Sequence, residues 1–203
     1  LTSHYLRGDA LKAGDEIITQ TPIYPPFLTS ITDHGRVALQ NPMVFHQSGW
    51  QIDFEQLETL VSPKTKVFML CNPHNPTGRV FSRSELERLS DFVLRHDLLV
   101  ISDELHAELI LDGTHVPFAS LPEMRERTVT LTGPCKAYNT AGLGGGVMIA
   151  HNTALLERCK KATKGLMGHP TSLSMTMWQA GLEDATGWRE DVLAYIRGNR
   201  DFV

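Results

Sequence analysis

Apolar residues fall along this chain in short unbroken runs separated by amphipathic stretches. "DEIITQ" (15–20), "RVALQ" (36–40), "TKVFMLC" (65–71), "LLVISDE" (98–104), "RTVTLTG" (127–133) and "GVMIAH" (146–151) predict strands. These runs show little alternation of apolar and polar positions, which suits strands buried on both faces, as in a parallel or mixed sheet covered by helices. "SRSELERLSDFVLRHD" (82–97) sets Leu86, Leu89, Phe92 and Val93 at helical spacing. It opens on either of two capping boxes, Ser82 with Glu85 or Ser84 with Glu87. "NTALLERCKKATKGL" (152–166), "TSLSMTMWQAGLEDA" (171–185) and the final "WREDVLAYIRGNRDFV" (188–203) also read as helices, and 41–51 is the longest loop-like stretch. No repeat or low-complexity linker interrupts the alternation. The pattern is that of βαβ units and an α/β fold.

Composition narrows the function classes more than the fold. The chain has 203 residues, 41% of them apolar and 21% charged, with a net charge of −4. That is an ordinary globular balance, with no global attraction to nucleic acid or anionic membrane. No apolar run is long enough to span a bilayer. The three cysteines, Cys71, Cys135 and Cys159, have no metal-type spacing. An odd count suggests free thiols and a cytoplasmic setting. The chain opens without Met and ends inside a helical pattern, so it is expected to be a piece of a longer protein.

Ligands of open α/β sheets gather at the carboxyl ends of strands. Four predicted strands run there into unusual polar chemistry: "TPIYPPF" (21–27), "NPHNPTG" (72–78), "DELH" (103–106) and "GPCK" (133–136). Each has a bland reading. Tyr24 could lie in a surface turn, the Asn-Pro-rich segment could be a plain multiple turn, Asp103 could be a helix cap or solvated acid, and Lys136 could be a solvated lysine. Asp103, His106 and Glu108 could suggest a metal site, but no further cluster supports one. "GLGGG" (142–146) leads into a strand rather than a helix, which weakens a phosphate-loop reading. Taken jointly the four are stronger. A lysine amine can form a Schiff base with an aldehyde, an aspartate can hold a pyridine nitrogen protonated, an asparagine can bond a ring oxygen, and a tyrosine can stack on a ring. Those are the needs of pyridoxal phosphate.

The order "TPIYPPF … CNPHNPTGRV … ISDELHAEL … GPCKAYNTAGL" resembles the PLP-dependent aminotransferases of fold type I, classes I and II, over essentially the whole chain. Within them it is most similar to the cystathionine β-lyase-like C–S lyases of the MalY/PatB group. "SDELHAEL" followed by "HVPFASL", the terminal "LAYIRGNRDFV", and "AGLGGG" in place of a phosphate-binding arginine carry that likeness. The resemblance implies a three-layer α/β sandwich with a mostly parallel mixed sheet, the large domain of a PLP enzyme. Residues 1–185 would form that domain and 186–203 the start of a helix leading to a small C-terminal domain. Lys136 would bind the cofactor and act as catalytic base. Tyr24, Asn75, Asp103, His106 and Thr132 would complete the cofactor site, with no metal.

The implied reaction is β-elimination from cystathionine or a cysteine S-conjugate, giving a thiol, pyruvate and ammonia. Transamination is the alternative, and a regulatory role through protein contacts is a second. A homodimer is implied, as is a cis Asn75-Pro76 bond. Two positions depart from the family: Gly133 replaces a hydroxyl three residues before the lysine, and Gly144, eight residues after it, brings no guanidinium.

Overall fold

The computed structural model describes residues 11–166 and 168–203. The first ten residues of the expected large domain, and Met167, lie outside the described residues. Strands β1 (Glu16–Thr21), β2 (Val37–Pro42), β5 (Thr65–Cys71), β6 (Leu99–Asp103), β7 (Thr128–Thr132) and β8 (Val147–Ile149) form a six-stranded sheet in the order β2-β1-β5-β6-β7-β8. All pair in parallel except β8, which is antiparallel to β7. The sheet is therefore mostly parallel and mixed, as expected from its unbroken apolar runs.

Helices cover both faces. On one face lie α2 (Phe54–Thr59) and α3 (Arg83–Arg95), whose Leu57, Leu86, Leu89, Phe92 and Val93 pack against Ile18, Phe68, Leu70 and Val100 of the strands. On the other lie α1 (Pro26–Thr32) and α4 (Thr153–Thr163), whose Phe27, Ile31, Leu155 and Cys159 pack against Ile17, Met69, Ile101 and Leu131. Strand alternation thus sends successive side chains into two separate cores, one per face. Helices α5 (Ser172–Asp184) and α6 (Thr186–Phe202) follow at the C-terminal side.

Local chemistry sets the element ends. Of the two capping boxes, Ser82 with Glu85 forms; Ser84 falls inside the first turn of α3. The Ser82 box prevails because both Glu85 carboxylate oxygens also accept from Arg79 Nη2 (2.6 Å each), which draws the chain entering the helix against its first turn, while Arg79 Nη1 donates to Trp50 O (2.6 Å). α1 begins on Pro25 and Pro26, where missing N–H groups cost nothing and φ is already helical. The stretch 41–51 is not a loop. It holds the end of β2 and a hairpin of β3 (Val44–His46) and β4 (Gly49–Gln51), closed by an edge-to-face contact of Phe45 and Trp50.

Candidate active site

The chain runs from β1 outward to the edge strand β2 and then returns to β5 on the other side of β1. That reversal opens a crevice at the carboxyl edge, the usual ligand position of such sheets. One pocket occupies this edge, lined by Tyr24, Phe27, Cys71, Asn75, Asp103, Leu105, His106 and Lys136. Five of the six residues singled out in the sequence therefore meet in one place.

Thr132 does not join them. Leu131 beside it packs in the core below the pocket, together with Ile101 and Met69. Alternation along β7 directs Thr132 to the opposite face of the sheet. A hydroxyl near the lysine in sequence is on the wrong side of the strand.

The segments bearing these residues are joined to one another by main-chain hydrogen bonds. Tyr24 N donates to Asn75 O (3.1 Å), Asn72 N to Asp103 O (3.0 Å), and Glu104 N to Leu131 O (2.8 Å). The Asn75 loop is further fixed from within. Asn72 Oδ1 accepts from Phe81 N (3.0 Å), and the His74 ring nitrogen Nδ1 lies 2.9 Å from Thr77 Oγ1. The Asn75-Pro76 bond is cis, as are Thr21-Pro22 and Asn72-Pro73.

Lys136 sits in a helical turn, with Tyr138 N donating to Pro134 O (3.0 Å) and Thr140 N to Cys135 O (3.0 Å). Helix α5 backs this turn. Ser174 Oγ donates to Leu143 O (2.8 Å), and the Trp178 indole packs flat against Gly145. A Cβ on Gly145 would fall 2.5 Å from Trp178, and φ there is +101°. Glycine is the one residue that fits, which accounts for part of the glycine run after the lysine.

Burial dominates the electrostatics of the pocket. Burial pushes the Asp103 carboxyl above its ordinary value, while the Leu105 N–H (3.1 Å from Oδ1) and the Lys136 charge draw it down. Burial, then the Asp103 charge, pushes the Cys71 thiol up to about 12, so it stays protonated and is a poor nucleophile. His106 is pushed below the ordinary imidazole value by burial and by the Lys136 charge, leaving it neutral near pH 7. The Lys136 amine, the Asn75 amide and the second Asp103 oxygen have no hydrogen-bond partner among the described residues. Tyr24 is 49% exposed, presenting its ring at the mouth.

Cys71, Phe27 and Leu105 line the pocket without having been singled out. Cys71 was legible in principle, as the last residue of a strand whose next residue already bore chemistry. Behind the pocket, buried Glu104 accepts from Ser102 Oγ (2.8 Å) and Phe118 N (3.1 Å) and lies 2.9 Å from His115 Nε2. Its members come from two segments, 102–104 and 115–118, which the fold brings together.

An open, doubly covered α/β sheet with a lysine and an aspartate lining one crevice belongs to the class of α/β proteins that hold a small molecule at the strand ends. The chain belongs to the aminotransferase class I and II family, whose sequence pattern matches residues 8–203. It is 36% identical over 192 residues to cystathionine beta-lyase PatB of Bacillus subtilis (strain 168), covering 92% of this chain and 49% of that protein. It is 33% identical over 196 residues to arginine–pyruvate transaminase AruH of Pseudomonas aeruginosa, covering 95% of this chain and 49% of that one. The fold superposes on cystalysin from Treponema denticola, which contains a pyridoxal 5'-phosphate cofactor, with a TM-score of 0.94 and 31% identity. That match covers 99% of this chain and 52% of cystalysin. The chain thus spans about half the length of the relatives it matches.

Proposed function

We propose that this chain is the cofactor-binding part of a pyridoxal-phosphate-dependent C–S β-lyase that cleaves cystathionine or other cysteine S-conjugates to a thiol, pyruvate and ammonia. The observation that carries the reading is the meeting of Lys136, Asp103, Asn75 and Tyr24 in one pocket at the carboxyl edge. The donor set fits the cofactor. It supplies an amine for the aldehyde, a carboxylate for the ring nitrogen, an amide for the ring oxygen and an aromatic face for the ring. No arginine lines the pocket among the described residues, so the phosphate is expected to be held by other donors.

Bound pyridoxal phosphate supplies an electron sink, its protonated ring taking up the electron pair left at the substrate Cα. Asp103 keeps that ring nitrogen protonated, because an anion beside it favours the cationic form. The same cation favours ionised Asp103, against the burial that pushes this carboxyl up. Lys136 anchors the cofactor and, once freed by substrate, takes the Cα proton on Nζ. The Cβ–S bond then breaks with its electron pair leaving on sulfur. The remaining aminoacrylate takes up water to give pyruvate and ammonia.

The lyase reading draws on the likeness to PatB, and the likeness to AruH supports transamination as the second reading. Elimination would return the cofactor to Lys136 and so needs no second substrate, whereas transamination would stop until a keto acid arrives. The full-length protein given cystathionine alone is expected to release pyruvate, ammonia and thiol steadily. Turnover strictly dependent on added keto acid, with no thiol released, decides for the aminotransferase.

We further infer a cytoplasmic homodimer. Three free, buried cysteines support a reducing compartment. No helix among the described residues is long and apolar enough to cross a membrane. Leu173, Met175 and Leu182 of α5 are exposed, which supports a covered surface there.

A further inference from the structure

The loop that leaves the pocket after His106 is held from outside by helix α6. Arg197 Nε donates to Leu111 O (2.8 Å) and its Nη2 to Ile110 O (3.2 Å). Arg189 pairs with Glu108, and Arg200 with Asp112, at either side of that contact. We propose that Arg197 is a positioning residue for the pocket: by gripping the carbonyls of Ile110 and Leu111 it holds the 105–112 loop against α6 and so keeps His106 in the pocket wall.

The loop has few other holds. At its base, Glu104 is fixed by Ser102, Phe118 N and His115, and Ala107 N donates to Glu104 O (3.0 Å). His106 then closes one turn, accepting from Leu109 N (2.9 Å). Beyond that turn, the carbonyls of residues 110 and 111 are the next anchored groups, and Arg197 is their partner. The flanking ion pairs are weaker anchors. The Glu108 and Asp112 side chains are 42% and 76% exposed, where screening leaves a pair little net strength. Arg197 is half-buried, and its planar fork meets two successive carbonyls at once. A lysine has one point of attachment and cannot reproduce that grip.

The consequence reaches His106 through solvent. Its imidazole stays below the ordinary value because of burial first and the Lys136 charge second. Asp103, Cys71 and Tyr24 share the pocket with it, and Glu104 and His115 lie behind the loop. Loosening the loop admits water and moves His106 away from Lys136, and both changes raise its titration midpoint.

The functional meaning rests on the pocket being the cofactor site, so the test reads His106 in cofactor-free full-length protein, where that reading plays no part. Histidine ring resonances are followed through neutral pH by NMR, with His106 assigned from a His106→Gln variant. Wild-type His106 is expected to titrate below free imidazole. Arg197→Ala is expected to raise its midpoint towards the ordinary value. Arg197→Lys, which keeps the charge and is the milder change should the alanine variant fold poorly, raises it less but in the same direction. Arg200→Ala leaves it unchanged. An unmoved His106 in folded Arg197→Lys, or an equal shift in Arg200→Ala, overturns the proposal. If the shifts appear but pyridoxal phosphate fails to bind wild type, the clamp stands and the cofactor reading falls.

Discussion

His74 should make the protein lose stability as the pH falls from neutral. Its ring is 2% exposed, with Nδ1 against Thr77 Oγ1 at 2.9 Å and no partner for Nε2 among the described residues. Burial, and then the nearby Arg79 charge, pushes the imidazole down from 6.5 to about 4. An unfolded chain takes up the proton at the ordinary value, while the folded chain refuses it until about 4. The folded state is therefore penalised as the pH drops through that window, by ~1.4 kcal/mol per unit. Across the whole interval the loss approaches ~3 kcal/mol, a large share of the ~5–15 kcal/mol that holds a typical domain together. Well above pH 6.5, where the unfolded chain is also deprotonated, the group contributes no slope.

Other groups titrate nearby, so the measurement is a difference. His106 acts in the same direction and Asp103, whose carboxyl is pushed up, acts against it. Urea unfolding followed by tryptophan fluorescence, for wild type and His74→Asn at several pH values, cancels these shared contributions. The asparagine keeps a polar atom near the Nδ1 position, and its packing cost does not vary with pH. The stability gap between the two proteins should shift by ~3 kcal/mol in favour of the variant between neutral pH and pH near 4. Parallel stability curves would refute the reasoning, and so would a His74 resonance that titrates at its ordinary value in the folded protein.

Two further outcomes follow from the site. Lys136→Ala should remove both turnover and the visible absorbance of covalently held cofactor, while equilibrium dialysis still finds weak cofactor binding through Asp103, Asn75 and Tyr24; near-normal turnover would show that another amine does the work. Gly145→Ala should destabilise the protein by ~1–3 kcal/mol, read as a shift in urea midpoint, because the new methyl meets Trp178 at 2.5 Å on a backbone that disfavours side chains; an unchanged midpoint would mean that the helix–loop contact gives way easily.

Strands β1, β5 and β6 were legible to within about a residue or two because burial on both faces writes an unbroken apolar run. The site was legible for a related reason: in a parallel sheet, residues just past strand ends share an edge, so Asp103 and Lys136 could be paired across 33 positions of sequence. Short elements were not. The six residues of α2 and the three-residue strands of the hairpin carry too few positions to show a period. Thr132 failed because proximity in sequence says nothing about face until the pairing of β7 is known. The contacts of Arg197 with the 110–111 carbonyls and of His115 with Glu104 were not legible, because segments far apart in sequence meet there only in the fold.

The main-chain lacing of Tyr24, Asn75 and Asp103 along the carboxyl edge has a consequence for how such a site can change. Any residue but proline donates and accepts those same bonds, so the edge keeps its shape when side chains are exchanged. Replacing Tyr24 or Asn75 deletes one chemical group without releasing the segment that bore it. The scaffold therefore behaves as a fixed frame with exchangeable fittings, in which the side chains at this edge can be exchanged while the segments of residues 24, 75 and 103 stay in register.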